Sequence, residues 1–300
     1  MKETDIISSV KKSYKADSQF NEKACKDLVI TEKLPLYSYL IGKIMGDGHL
    51  SYNYCLHFIS SSKVDLDELL ELIIKVFSVS RTKMAIIKKK AFGTTYSLRV
   101  NYAIFGRILY SLGAPKGNKT KQSFFIPDWI LSNQFYKRMF LMGLLEDELS
   151  TIKIAKKSHS IEPKLKMAKQ EYLMENLRLY LDQVKSCIES FGVQCSEVSK
   201  QPKGKASQST KGLYFHILRN KRNIIQFEDE IGFFLNKNKK DKLKECCSVL
   251  RETLKPDIDR EKIASLRKEG LSLRQIARIV PQGKTTIHRI ITEQQDLNKN

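Results

Sequence analysis

Leu40-Ile41-Gly42-Lys43-Ile44-Met45-Gly46-Asp47-Gly48 and Leu141-Met142-Gly143-Leu144-Leu145-Glu146-Asp147-Glu148-Leu149 are the two stretches on which the fold of this chain turns. Aligned without gaps, Asp47 falls on Glu148, 101 positions later. Each stretch is apolar for about two helical turns and then arrives at a carboxylate. Gly42 and Gly46 are four apart, so they share one helix face on which a second backbone can come close. If the two helices pack side by side, their C-terminal ends bring Asp47 and Glu148 together. Two neighbouring carboxylates at the negative ends of helix dipoles repel each other, and a cation between them removes that cost. Oxygen ligands of this kind suit a hard divalent ion, so the expected cofactor is Mg²⁺, with Mn²⁺ able to substitute. Alone, either stretch reads as a core helix with a polar end. It is the recurrence that points to chemistry.

The surroundings recur as well. After the first stretch, 49–60 reads as a strand and 64–77 as an amphipathic helix with Leu66, Leu69, Leu70, Ile73 and Ile74 on one face. Two strands follow over 83–100, then a helix over 102–112. After the second stretch come a strand-like segment to about Ala168, a long amphipathic helix over 171–191, two strands within 194–218 and a helix over 224–234. The expected class is α+β: two pseudo-symmetric αββαββα units forming a saddle, plus a small all-α domain. The boundaries are an N-terminal arm over 1–33, repeats over 34–130 and 131–255, and a third unit over 256–300.

Composition bounds the partners. The 300 residues carry 53 Lys and Arg against 33 Asp and Glu, a net charge of +20, which favours a polyanion. With 41% hydrophobic residues the chain has the means to build cores. It has no apolar run near the roughly 20 residues that span a bilayer, and its first residues, MKETDIISSVKKSYKAD, lack a secretory apolar core. A cytoplasmic protein, held to the nucleoid through DNA, is expected. None of the six cysteines forms a C-x-x-C pair, so no zinc site is expected.

Residues 256–300 read as three short helices. Asp259 caps the first, which Gly270 ends. Leu273, Ile276 and Ala277 would face Ile287, Ile290 and Ile291, leaving Lys284, Thr285, Thr286, His288 and Arg289 for a major groove. LSLRQIARIVPQGKTTIHRII resembles the helix-turn-helix of recombinase and invertase DNA-binding domains.

The paired motifs, with GAPKGNKTKQSFFIPDWI between them, resemble the LAGLIDADG homing endonucleases in their single-chain, two-repeat, archaeal-type form, over about residues 34–250. That resemblance implies antiparallel sheets laid in the DNA major groove, motif helices at the interface, and Mg²⁺-dependent hydrolysis of both strands by a pseudo-symmetric monomer of prokaryotic origin. It makes Asp47 and Glu148 the metal-binding acids, with the backbone carbonyls of Gly46 and Asp147 as further ligands. It also implies one lysine after the last helix of each repeat that acts on the scissile phosphate or its water, assigned to Lys119 and Lys240. Leu149 departs from the pattern, since glycine is usual there, and this puts cleavage in doubt. Alternation along strands offers Tyr52, Tyr54, His57, Lys88, Lys90, Arg99, Lys153, Lys156, Lys157, Lys164, Lys166 and Arg219 to DNA. Two alternatives share the scaffold: a non-cutting regulator, since repeats fused to a helix-turn-helix resemble the WhiA-type regulators, and an intron-splicing maturase binding RNA.

Overall fold

The first helix of the site, α3 (Leu34–Met45), is the third of the chain, after α1 (Glu3–Lys12) and α2 (Glu22–Leu28). The computed structural model describes residues 2–14, 19–29, 31–89, 95–150, 163–201, 210–254, 259–280 and 282–297. Within the N-terminal arm, α1 and α2 place Ile6, Val10, Cys25 and Leu28 in the same hydrophobic core as α3. The apolar residues of these two short helices are few but buried.

The chain then runs through β1 (His49–Leu50), β2 (Leu56–Ser60), α4 (Lys63–Phe77), β3 (Met84–Lys89), β4 (Thr95–Val100) and α5 (Ala103–Ser111). The expected continuous strand over 49–60 is broken, because residues 51–55 turn, with Tyr54 at φ 64°. Ser62 caps α4 by accepting from the Asp65 N–H (3.3 Å), and the face carrying Leu66, Leu69, Leu70, Ile73 and Phe77 is buried. The four strands form an antiparallel sheet in the order β1-β2-β4-β3.

The second half follows with α6 (Asp128–Leu131), α7 (Gln134–Glu148), β5 (Lys164–Gln170), α8 (Met174–Glu189), β6 (Ser199–Lys200), β7 (Thr210–His216), α9 (Lys221–Glu230) and α10 (Lys237–Glu252). Its described strands pair antiparallel in the order β5-β7-β6. The bridge Leu149–Leu165 and the bond from Ser150 N–H to the Lys164 carbonyl (2.9 Å) put residues 149–150 where β1 sits in the first half. The described elements from α7 to α9 follow the order of those from α3 to α5, and the fold is mixed α and β with antiparallel sheets. The lysine-rich run 237–244 is the start of α10, which buries Leu243, Cys246, Cys247 and Leu250. Its dense charge masked an apolar stripe at helical spacing.

Residues 1–250 form one compact unit and 251–300 another. The second comprises α11 (Arg260–Lys268), α12 (Leu273–Ile279) and α13 (Lys284–Leu297) around Ile263, Ile276, Val280, Ile287 and Ile290. Ser272 and Gln275 form a capping box at the start of α12. Among the described residues, no helix is long and apolar enough to cross a membrane.

Candidate functional site

The site is built where α3 and α7 lie against each other. A Cβ on Gly42 would sit 2.2 Å from the Phe140 carbonyl oxygen, and one on Gly143 would sit 2.1 Å from that of Tyr39. Any side chain at these positions would push the helices apart. The Ser38 hydroxyl adds a cross-helix bond to the Tyr136 carbonyl (3.0 Å). This close approach brings the two C-terminal ends together.

The ends differ in construction. α3 stops at Met45, and Asp47 lies exposed in the turn that follows. The turn closes through a bond from Gly48 N–H to the Lys43 carbonyl (2.8 Å), and a Cβ on Gly48 would meet that oxygen at 2.6 Å. α7 instead runs through Glu148 as its last residue. Leu149 then leaves in an extended conformation, its N–H on the Leu145 carbonyl (3.1 Å) and its side chain in the core at 2% exposure. Burial, then the charge of Asp47, pushes the Glu148 carboxyl up to about 8, against the pull of Lys119 and Lys239. The two acids therefore share one electrostatic environment.

A lysine caps each end. Lys119 Nζ donates to the carbonyls of Ile44 (2.8 Å), Gly48 (2.7 Å) and Gly46. In the second half Lys239, and not Lys240, has this place: its Nζ donates to the carbonyls of Glu146 (2.7 Å), Leu149 (2.6 Å) and Leu145 (3.5 Å). Ile44 and Gly48 align with Leu145 and Leu149 in the repeat. Lys240 is one step further round α10 and exposed, a difference of about 100° that a lysine-rich run conceals. Burial lowers both capping lysines below the ordinary lysine range, while the neighbouring carboxylates oppose that shift. The segment carrying Lys119 is itself fixed: Lys169 donates to the Gln122 carbonyl (2.9 Å), and Asn176 bonds both backbone groups of Phe124.

The other two acids of the second stretch are structural. Glu146 is buried and accepts from the backbone N–H groups of Phe234, Leu235 and Asn236 (2.6, 2.6 and 3.1 Å) and from the Tyr39 hydroxyl (2.6 Å). Asp147 pairs with Lys43. Burial raises Asp147 to about 6 despite that partner, while for Lys43 the two carboxylates outweigh burial and raise it. The visible clue to this cluster was a lysine inside an apolar helix. Asp47, Lys43, Asp147 and Lys239 line part of a cavity of about 160 Å³.

Two carboxylates, rather than a closed cage, face the junction: among the described residues no group of three or more His, Cys, Asp or Glu is arranged to hold a metal. Such a donor set fits Mg²⁺, which keeps several waters and binds through one or two carboxylates plus substrate oxygens. The Gly46 carbonyl, expected as a ligand, is engaged by Lys119, so the fit rests on Asp47 and Glu148.

The sheets sort the remaining candidates by face. In the first, Leu56, Phe58, Leu98 and Val100 point into the core. His57 pairs with Arg99, and both lie on the opposite, open face with His49. Lys88 has the parity of Met84 and Ile86 and so belongs to the helix-covered side of the sheet, exposed at its edge. Tyr52 and Tyr54 are on the 51–55 turn rather than a strand. Tyr52 is 74% exposed, whereas Tyr54 is buried with its ring against Arg107 (4.0 Å) and Lys116 (4.5 Å). In the second sheet Lys164 and Lys166 share the open face with Tyr214 and His216, and Lys164 lies 3.6 Å over the Tyr214 ring. Arg219 is exposed beyond the end of β7. Lys90, Lys153, Lys156 and Lys157 lie outside the described residues. In the C-terminal unit, Lys284, Thr285, His288 and Arg289 are exposed and Thr286 is half-buried, with Ile287 and Ile290 inward.

No family model matches the chain. Among curated proteins it is 29% identical over 222 residues to the tRNA-splicing ligase RtcB of Pyrococcus furiosus, covering 70% of this chain and 22% of that one. It is also 29% identical over 148 residues to RtcB of Methanopyrus kandleri (49% and 14%) and 27% identical over 263 residues to the Replication factor C small subunit of Methanocaldococcus jannaschii (82% and 14%). The chain thus spans less than a quarter of each of these relatives. Solved structures similar to it include the homing endonuclease I-WcaI bound to its DNA recognition sequence (TM-score 0.46, 15% identity, 78% of this chain and 95% of that one). I-DmoI in complex with DNA and Ca gives a TM-score of 0.43 at 17% identity (71% and 98%). The N-terminal LAGLIDADG domain of DUF199/WhiA gives 0.40 at 16% identity (77% and 92%).

Proposed function

We propose that this chain is a site-specific double-strand DNA endonuclease that hydrolyses phosphodiesters with divalent metal, acting as a pseudo-symmetric monomer on a long asymmetric target. The observation that carries this is the convergence of Asp47 and Glu148 at paired helix ends, where the charge of one helps to hold a proton on the other. A fold gains nothing from such repulsion, whereas a cation-dependent site needs it. Asp47 and Glu148 would hold Mg²⁺ or Mn²⁺, which supplies Lewis acidity and a bound water of lowered pKa. Lys119 and Lys239, held by helix-end carbonyls, place positive charge beside the scissile phosphate and stabilise the charge that develops there. The open sheet faces, with His57, Arg99, Lys164 and Lys166, enter the major groove. The C-terminal unit, with Lys284, Thr285, His288 and Arg289 on the outside of α13, adds a second DNA contact and lengthens the site.

Leu149 does not argue against cutting. Its side chain is taken into the core, and the charge of Asp47 still acts on Glu148. Nor do the relatives argue for ligase or replication chemistry. One segment shared by a ligase and a replication-factor subunit, and amounting to 22% or less of each, behaves as a separable module. The three-helix unit favours one second reading, a regulator that binds without cutting. The test is a selection on a randomised duplex library, in Mg²⁺ and in EDTA, followed by sequencing of cut ends. A discrete long site cut only with metal is expected. Site-specific binding with no cut ends in Mg²⁺ or Mn²⁺ selects the regulator.

A further inference from the structure

Matching the halves strand by strand exposes a chemical inequality between the open faces of the two sheets. The β1–β2 pairing His49–His57 corresponds to Ser150–Lys164, so Lys164 matches His57 and Lys166 matches Ile59. Their cross-strand partners match in turn: Lys164–His216 with His57–Arg99, and Lys166–Tyr214–Ser199 with Ile59–Ser97–Ile87. One row of three positions is therefore lysine, tyrosine and serine in the second sheet, and isoleucine, serine and isoleucine in the first.

The isoleucine row is short and oddly placed. Ile87 is 36% exposed, and Ser97 between the two isoleucines has no exposed surface. The Ser97 hydroxyl finds no hydrogen-bond partner among the described residues. Next to it runs the row His57–Arg99–Ala85, where the buried Arg99 Nε also has no partner among the described residues. An apolar strip one row wide, bordered by an arginine and by His57 on a chain of net charge +20, suits a surface that is anionic overall yet offers isolated methyl groups. The major groove has that chemistry, and the C5-methyl of thymine is its only apolar recognition group.

We propose that Ile59 and Ile87 read thymine methyls in the arm of the DNA site lying under the first sheet, while Lys166, Tyr214 and Ser199 read the other arm by hydrogen bonding. This rests on the chain being a DNA-binding protein, though not on its cutting. The test uses the full chain in EDTA, selects bound duplexes from a randomised library, and then replaces each selected thymine by deoxyuridine. The expected site is asymmetric, with thymines recurring in one arm. Deoxyuridine there weakens binding about fourfold per methyl, the scale of burying one such group. Ile87→Ser abolishes the thymine preference, and the sensitivity to deoxyuridine, at the position Ile87 reads and leaves the one under Ile59, while Lys166→Ile introduces a thymine preference in the opposite arm. A selected site whose binding is indifferent to deoxyuridine in both arms, or an unchanged preference in Ile87→Ser, overturns the proposal and leaves DNA binding intact. Selection of no sequence at all overturns the DNA-binding reading with it.

Discussion

The ends of α3 and α7 solve one problem in two ways. Each ends at or just before an acid beside the other. α3 does so by stopping early and swinging Asp47 out on a turn that only glycine at 48 permits, with its closing bond reaching back five residues to Lys43. α7 continues helically to Glu148 and is held by a bond reaching back four residues, with Leu149 driven into the core as an anchor. The lesson is that a residue departing from a motif can be a different local fastening rather than a lesion. Asp47 is left exposed and Glu148 half-buried, so the two acids are inequivalent although their positions correspond.

That contrast can be broken at several points. The largest effect is expected from Leu149→Gly, which restores the motif but removes a core anchor: it should cost about 3–5 kcal/mol in urea unfolding and fail to raise activity. Gly42→Ala attacks what the two ends share, the contact between helices. It should cost about 1–3 kcal/mol, whereas alanine at the exposed Lys240 leaves the midpoint unchanged. Lys239→Met should slow cleavage about ten- to a hundredfold, the scale of losing a positioning contact around a metal centre. Lys240→Met should not, and equal losses in both would undo the placement of Lys239.

A pH dependence is expected at the α7 end. Glu148 holds its proton to about 8 in the fold, against an ordinary value of 4.5. Between those values the folded state binds a proton that the unfolded state has lost, so stability falls as pH rises through this window. In EDTA, Glu148→Gln should therefore match the parent below pH 4.5 and become increasingly the more stable protein up to pH 8. A gap that is constant with pH would contradict the raised carboxyl.

Much of this was legible in the sequence because it is periodic. The glycines at 42 and 143, the carboxylates that follow and the apolar faces of α4 and α8 all repeat, and repetition survives uncertainty about any one element. The C-terminal helices were legible for a similar reason, since their caps and breakers are local. What could not be read depends on contacts between distant segments. Nothing local says that Lys239 rather than Lys240 meets the carbonyls of α7, that Glu146 is consumed by the backbone of residues 234–236, or that Tyr54 turns inward onto Arg107. Strand parity failed at Lys88 because that face is open only at the sheet edge.

The most direct measurement is single-turnover cleavage of a selected site in Mg²⁺ by the parent, Asp47→Asn and Glu148→Gln, with binding measured in parallel. Loss of about a hundredfold or more in cleavage by each variant, with binding retained, is the predicted result. Cleavage at the parental rate by either variant would contradict the assignment of the paired helix ends as the catalytic centre.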